Sequence, residues 1–82
     1  MVATLEQVYQ FVDRAIEQAR NHGRLDIAQR LDDALHLGSS SLEILGAIKI
    51  ALSQEANAID NWLDKSEREE VIRFVNRVFL SR

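Results

Sequence analysis

The chain has no cysteine, no proline, only three glycines, few aromatic residues (6%) and no excess of basic charge. The missing cysteines exclude disulfides, zinc–thiolate sites and thiol chemistry, and they fit a reducing compartment. Ten basic and thirteen acidic side chains leave a net charge of −3. That balance argues against a nucleic-acid footprint, which needs a clustered basic face. No apolar run approaches the roughly 18 to 20 residues of a membrane span. Met1 to Thr4 lead straight into an amphipathic pattern without a signal-peptide profile, so a cytoplasmic protein that does not enter the membrane is expected.

What is present is one small domain over residues 1–82, with 46% apolar and 28% charged residues. A chain of this length buries only about 60 to 65% of its extended surface, so its stability must come from regular, well-packed elements, which favours helices. Charge is uneven along the chain. Residues 1–64 carry five basic and ten acidic side chains, whereas residues 65–82 carry five basic and three acidic.

Thr4 and Gln7 have capping-box spacing, and Leu5, Val8, Val12, Ala15, Ile16 and Ala19 recur at three-to-four spacing behind them. This predicts a first helix ending at Asn21 to Gly23, where glycine suits the left-handed position that closes many helices. Ile27, Ala28, Leu31, Ala34 and Leu35 fit a helix behind an Asp26 cap, although the stretch ends quickly at Gly38. Ser40 with Glu43 repeats the capping-box spacing, and Leu42, Leu45, Ile48, Leu52, Ala56 and Ile59 hold one face of a further helix ending near Ala56. Asn57 to Lys65 reads as a connection with about one helical turn, in which Trp62 anchors the core edge. Ser66 with Glu69 predicts a third capping box, and the last helix is expected to bury Val71, Ile72, Val75, Val78 and Phe79.

Few residues suggest chemistry. Asp32, Asp33 and His36 share a helix face, but one histidine and its carboxylates leave most positions of a metal site empty, so His22 and His36 read as surface histidines. No glycine-rich nucleophile elbow surrounds any serine. Glu67, Glu69 and Glu70 open the last helix, where carboxylates interact favourably with its dipole. No catalytic and no metal-binding residues are assigned, and the chain is not expected to be an enzyme.

The informative segment is Leu37-Gly38-Ser39-Ser40-Ser41-Leu42-Glu43. A serine cluster before a helix is ordinarily a cap. A serine there can also carry a phosphodiester, because free N–H groups and the positive dipole end favour an anion.

On these residues the chain resembles the acyl carrier proteins, which bear Leu-Gly-x-Asp-Ser-Leu at the start of their second helix. Leu37, Gly38, Ser41 and Leu42 match, Ser39 fills the variable position, and Ser40 stands in place of the usual aspartate. Length and helix order follow the carrier layout, although the proline often found after Ile59 in carriers is absent. The resemblance implies an all-α small four-helix bundle with three main helices and one short one. It also implies an ordered loop with a helical turn over 26–36, in place of the helix that propensity alone suggests there. It implies 4′-phosphopantetheine attached covalently to Ser41, with Ser40, Gly38 and Leu42 at the attachment site. Leu45, Ile48, Leu52, Ile59, Val71 and Val75 would line the space for an acyl chain. Partners would be a phosphopantetheinyl transferase and acyl-processing enzymes of fatty-acid, polyketide or peptide synthesis, acting on a monomer. Carrier partners typically offer basic patches to an acidic second helix, but Lys49 dilutes Glu43 and Glu55 here, so docking is expected to rest more on apolar surface near Leu42 and Ile44. Ser40 in place of aspartate implies slower modification or a dedicated transferase.

Gly46, one turn into that helix, costs about 1 kcal/mol relative to alanine. A close approach by the arm or by another helix would rationalise it, and so would a small-residue packing spot. The competing expectation is a non-enzymatic helical interaction module, such as an inhibitor or small regulatory subunit, in which the serines only cap.

Overall fold

The computed structural model describes residues 2–38 and 40–80, and within them every regular element is a helix. Helix α1 spans Leu5–Asn21, and its expected capping box forms: the Thr4 side chain accepts from the Gln7 N–H at 3.2 Å, and the Gln7 side chain accepts from the Thr4 N–H at 3.1 Å. Its far end closes in a Schellman motif. Gly23 takes φ +72°, the Arg24 N–H donates to the Ala19 carbonyl at 2.8 Å, and the Gly23 N–H donates to the Arg20 carbonyl at 3.1 Å.

The tight reversal at Gly23 feeds a regular helix α2, Leu25–Leu35, where the carrier resemblance implied an ordered loop. The periodicity of Ile27, Ala28, Leu31 and Ala34 prevails because all four are buried, and burial of an amphipathic stripe outweighs a weak start. Asp26 is not the cap. It sits in the first turn and pairs with Arg24, whose Nε and Nη2 donate to its carboxylate at 3.2 and 3.1 Å.

Helix α3 spans Ser41–Gln54 behind Ser40, and α4 spans Ala56–Trp62. Glu55 alone makes the corner between them (φ −104°, ψ 19°), so the expected single turn after Ala56 is a two-turn helix. Helix α5 covers Lys65–Leu80. Its start is set by Asp64, not Ser66: the Asp64 side chain accepts from the Ser66 N–H at 2.9 Å, and its carbonyl accepts from the Arg68 N–H at 3.1 Å.

Among the described residues the result is a small all-α bundle of five helices, one more than the carrier layout implied. Consecutive helices α1, α2 and α3 pack side by side, so α2 takes the main contacts of both its neighbours, and α5 closes the bundle against α3 and α1. The core is apolar throughout, with Phe11, Ile27, Leu31, Leu45, Ile48, Leu52 and Ile59 fully enclosed. Of the residues expected to be buried on α5, Val71 and Val75 are, Ile72 and Val78 are half-buried, and Phe79 lies at the surface.

Polar ties fix the helix ends. Arg30 reaches from α2 to the α3–α4 corner, donating to Gln54 Oε1 at 2.8 Å and pairing with Glu55 at 3.1 Å. Arg14 on α1 pairs with Glu67 on α5. The Val2 N–H donates to Glu70 Oε2 at 2.8 Å, holding the N-terminal segment on α5.

Candidate functional site

Helix α3 has two regions of interest, its serine-capped start and the outward side it shares with α2. At the start, Ser40 is the N-cap in extended backbone, and its Oγ accepts from the Glu43 N–H at 3.2 Å. This satisfies one of the N–H groups that a helix leaves unpaired in its first turn. Ser41, the first helical residue, is exposed, and Leu42 is half-buried. Ser39 lies outside the described residues. Gly38 has a steric reason of its own: the Glu43 side chain folds back over it, and a Cβ there would meet Glu43 Cβ and Cδ at 2.7 and 2.8 Å.

Leu45, Ile48, Leu52, Ile59, Val71 and Val75 are brought together, as interior residues exposed by 2% or less. They pack with Phe11 and Leu31 as the centre of the core. Gly46 faces another helix: a Cβ at this position would lie 3.4 Å from the Phe79 ring of α5.

The histidines sit at helix ends. His22 Nδ1 is 2.8 Å from the Gln18 carbonyl oxygen, which calls for the proton on Nδ1, and its ring stacks on half-buried Trp62 with centroids 5.0 Å apart. His36 Nδ1 lies 2.9 Å from the Asp32 carbonyl and 3.8 Å from its carboxylate. Among the described residues no group of three or more histidines, cysteines or carboxylates is placed to hold a metal ion. No helix of the described residues is long and apolar enough to cross a membrane.

Two features were not foreseen from sequence. The first is an ion pair between α4 and α5. Arg68, only 8% exposed, donates through Nε and Nη2 to the two carboxylate oxygens of Asp60 at 2.7 and 3.0 Å. These bonds hold the guanidinium even more firmly protonated than usual. The signal was weak, because an Asp and an Arg eight residues apart meet only if the chain reverses between them.

The second is an apolar cleft of about 250 Å³ between α2 and α3, floored by Ala34, Ala47 and Ala51 and edged by Leu37 and Ile50. Those two edge residues are 66% and 59% exposed, far more than the half-buried Leu42 and Ile44 on which docking was expected to rest. The sequence carries only part of the signal for this cleft. Eight of the fourteen residues of α3 are apolar and only Glu43 and Lys49 are charged, more apolar surface than one core-facing stripe needs.

Comparison of the chain with protein-family models, with curated proteins and with solved structures finds no match.

Proposed function

We propose that this chain is a non-enzymatic helical interaction module that docks a partner through the α2–α3 face. The observation that carries the reading is the composition of α3. Its apolar residues spread beyond the buried stripe of Leu45, Ile48, Ala51 and Leu52, and Ile50 stands mostly in solvent, with Leu37 from the preceding segment, beside an apolar cleft. Fully burying one such side chain is worth about 1.5–3 kcal/mol, so these two anchors and the alanine floor supply the hot-spot part of a modest interface. The arrangement performs no bond chemistry; it offers shape and apolar area.

A photo-reactive residue in place of Ile50, compared with one in place of exposed Glu17 on α1, tests this in the producing cell. A crosslinked product from position 50 and none from position 17 is expected. No product from position 50, or equal yields from both, overturns the reading.

A second reading, the acyl carrier, is favoured by the separate placement of the two serines. The Ser40 hydroxyl is occupied as the cap, while Ser41 is exposed at the first helical position, where N–H groups and the dipole favour a phosphodiester. In this reading Ser41 would hold the phosphopantetheine arm, raising the effective concentration of a bound acyl unit at partner enzymes. Helix α2 is the departure from the carrier layout, since it fills the stretch that the resemblance leaves as a loop and packs on both α1 and α3. Incubation with coenzyme A, magnesium and broad-specificity phosphopantetheinyl transferases, followed by intact-mass measurement, decides it. A phosphopantetheine-sized gain lost in Ser41→Ala supports the carrier, and no gain while a standard carrier loads fully removes it.

A further inference from the structure

We propose that the occupant of the α2–α3 face is one amphipathic helix of a partner protein, whose apolar ridge is flanked by lysine or arginine. The inference rests on the reading of this face as a docking surface and adds the chemistry of what docks. Charge selects the sign of the partner. Arg30, the cation lining the cleft, is neutralised by Glu55 at 3.1 Å, whereas Asp33 is bonded to the neutral amide of Gln29 at 2.7 Å. Glu43 lies one turn before Ala47 and two before Ile50 on the same side of α3, and none of the ion pairs among the described residues includes it or Asp33. Lys49, the only cation of α3, does not offset them. It precedes Ile50 as Ala51 follows it, about 100° of rotation each way, so it lies on the flank turned from the cleft floor. Two uncompensated carboxylates therefore border the cleft where the last turn of α2 meets the first turn of α3. A basic flank is attracted to them, and an acidic segment is repelled.

The form of the partner follows from what the face offers. An added strand needs a sheet edge, and a proline-rich segment needs a groove lined by aromatic rings. Here the walls are two helices, whose backbone groups bond within themselves, and none of the lining residues is aromatic. A helix keeps its own backbone bonds and needs only apolar contact from its neighbour. The floor of Ala34, Ala47 and Ala51 lets it approach closely, and Leu37 and Ile50 pack on its ridge. The lining residues span Ala47 to Gln54 along α3, about two turns, so the partner presents anchors at i, i+3 or i+4, and i+7. So short a contact on an open, shallow face gives a weak, readily reversed complex.

Synthetic helical peptides that share one Leu/Ala ridge and carry either Lys or Glu on its flanks test this against the full chain, by amide chemical-shift titration. The Lys-flanked peptide should bind with its largest shifts at Ala34, Ala47, Ile50 and Ala51, and the Glu-flanked peptide should bind about tenfold more weakly, a gap that added salt narrows. Ile50→Ala should weaken both. Asp33→Lys should reverse their order, while Glu17→Lys, the same charge change at an exposed site on α1, should leave it unchanged. No binding of the Lys-flanked peptide at this face, equal binding of the two peptides, or an order unaffected by Asp33→Lys overturns the proposal. The crosslinker at position 50 separates the two levels of inference, once the crosslinked segment is sequenced by mass spectrometry. An amphipathic partner segment with basic flanks supports both. An acidic or uncharged segment, or a second copy of this chain, retains the docking face and removes the basic helix, and no product removes both.

Discussion

Replacing Asp60 by alanine should destabilise the protein far more than an ordinary surface substitution, through what it leaves behind at Arg68. The Arg68 side chain is 10% exposed and its guanidinium is satisfied by two bonds of 2.7 and 3.0 Å to one carboxylate. Without Asp60 a positive charge remains in a site that water reaches poorly. Breaking a buried pair from one side costs about 3–5 kcal/mol. Because the Asp60 side chain is itself 23% exposed, water entering its place offsets part of that cost, leaving about 2–3 kcal/mol. A domain of this length has a total stability of about 4–12 kcal/mol, so the variant loses a large share of it. At about 4–8 °C per kcal/mol, the midpoint of thermal unfolding should fall by about 10–20 °C.

Urea unfolding followed by far-ultraviolet circular dichroism and by Trp62 fluorescence measures this. Trp62 lies two residues from Asp60 and reports the α4–α5 corner, while the dichroism reports all five helices. The double variant Asp60→Ala/Arg68→Met should recover to within about 1 kcal/mol of wild type, because it removes the stranded charge and keeps the volume of the side chain. If Asp60→Ala lies within about 0.5 kcal/mol of wild type, or the double variant is no better than the single one, the ion pair does not work as reasoned.

Gly46, inside α3, and Gly38, just before it, should respond oppositely to alanine. Gly46→Ala gains about 0.5–1 kcal/mol of helix propensity against only van der Waals contact with the Phe79 ring, whereas Gly38→Ala forces the Glu43 side chain off its position and should cost about 1–2 kcal/mol in urea titrations. A destabilised Gly46→Ala would show that α5 cannot yield at Phe79. Glu70 should contribute to stability on the acid side. The Val2 N–H donating to it holds its carboxyl below the usual range, so its contribution is fully present above about pH 5 and is lost as pH falls through the lowered value. The stability advantage of wild type over Glu70→Gln should therefore shrink on acidification, and an advantage that grows would contradict the assignment.

The parts of the fold legible in the sequence are those governed by local spacing and local caps. Thr4, Gln7, Gly23, Ser40 and the stripes of α1 and α3 act within a few residues, and the structure places them as their spacing suggests. Helix α2 shows the limit of argument by resemblance. Its apolar spacing is helical, and that spacing, not the carrier layout, decides the element. Helix α5 starts two residues before the position that a Ser66 cap predicts, because Asp64 and Ser66 are both competent caps and only the corner after α4 selects between them. The Asp60–Arg68 pair and the α2–α3 cleft were not foreseen because both depend on which helices become neighbours. At the candidate site, the core positions of α3 could be read from periodicity, whereas the exposure of Ile50 requires knowing that none of the described helices covers it.

The same distinction bears on the serine segment. Several of the residues that carry the carrier resemblance also have a local structural role: Gly38 admits the Glu43 side chain, Ser40 caps α3, and Leu42 is half-buried at the start of that helix. Such a segment can arise from the needs of helix initiation alone. Ser41 is different, since it is exposed and the cap is made by its neighbour. Its replacement by alanine, a better helix former, should leave stability unchanged or raise it by a few tenths of a kcal/mol, whereas Ser40→Ala should cost about 1 kcal/mol. With the fold unaffected, any loss of cellular function in Ser41→Ala would have to come from what the hydroxyl carries. A Ser41→Ala protein that keeps full function while Ile50→Glu loses it would assign the work to the α2–α3 face.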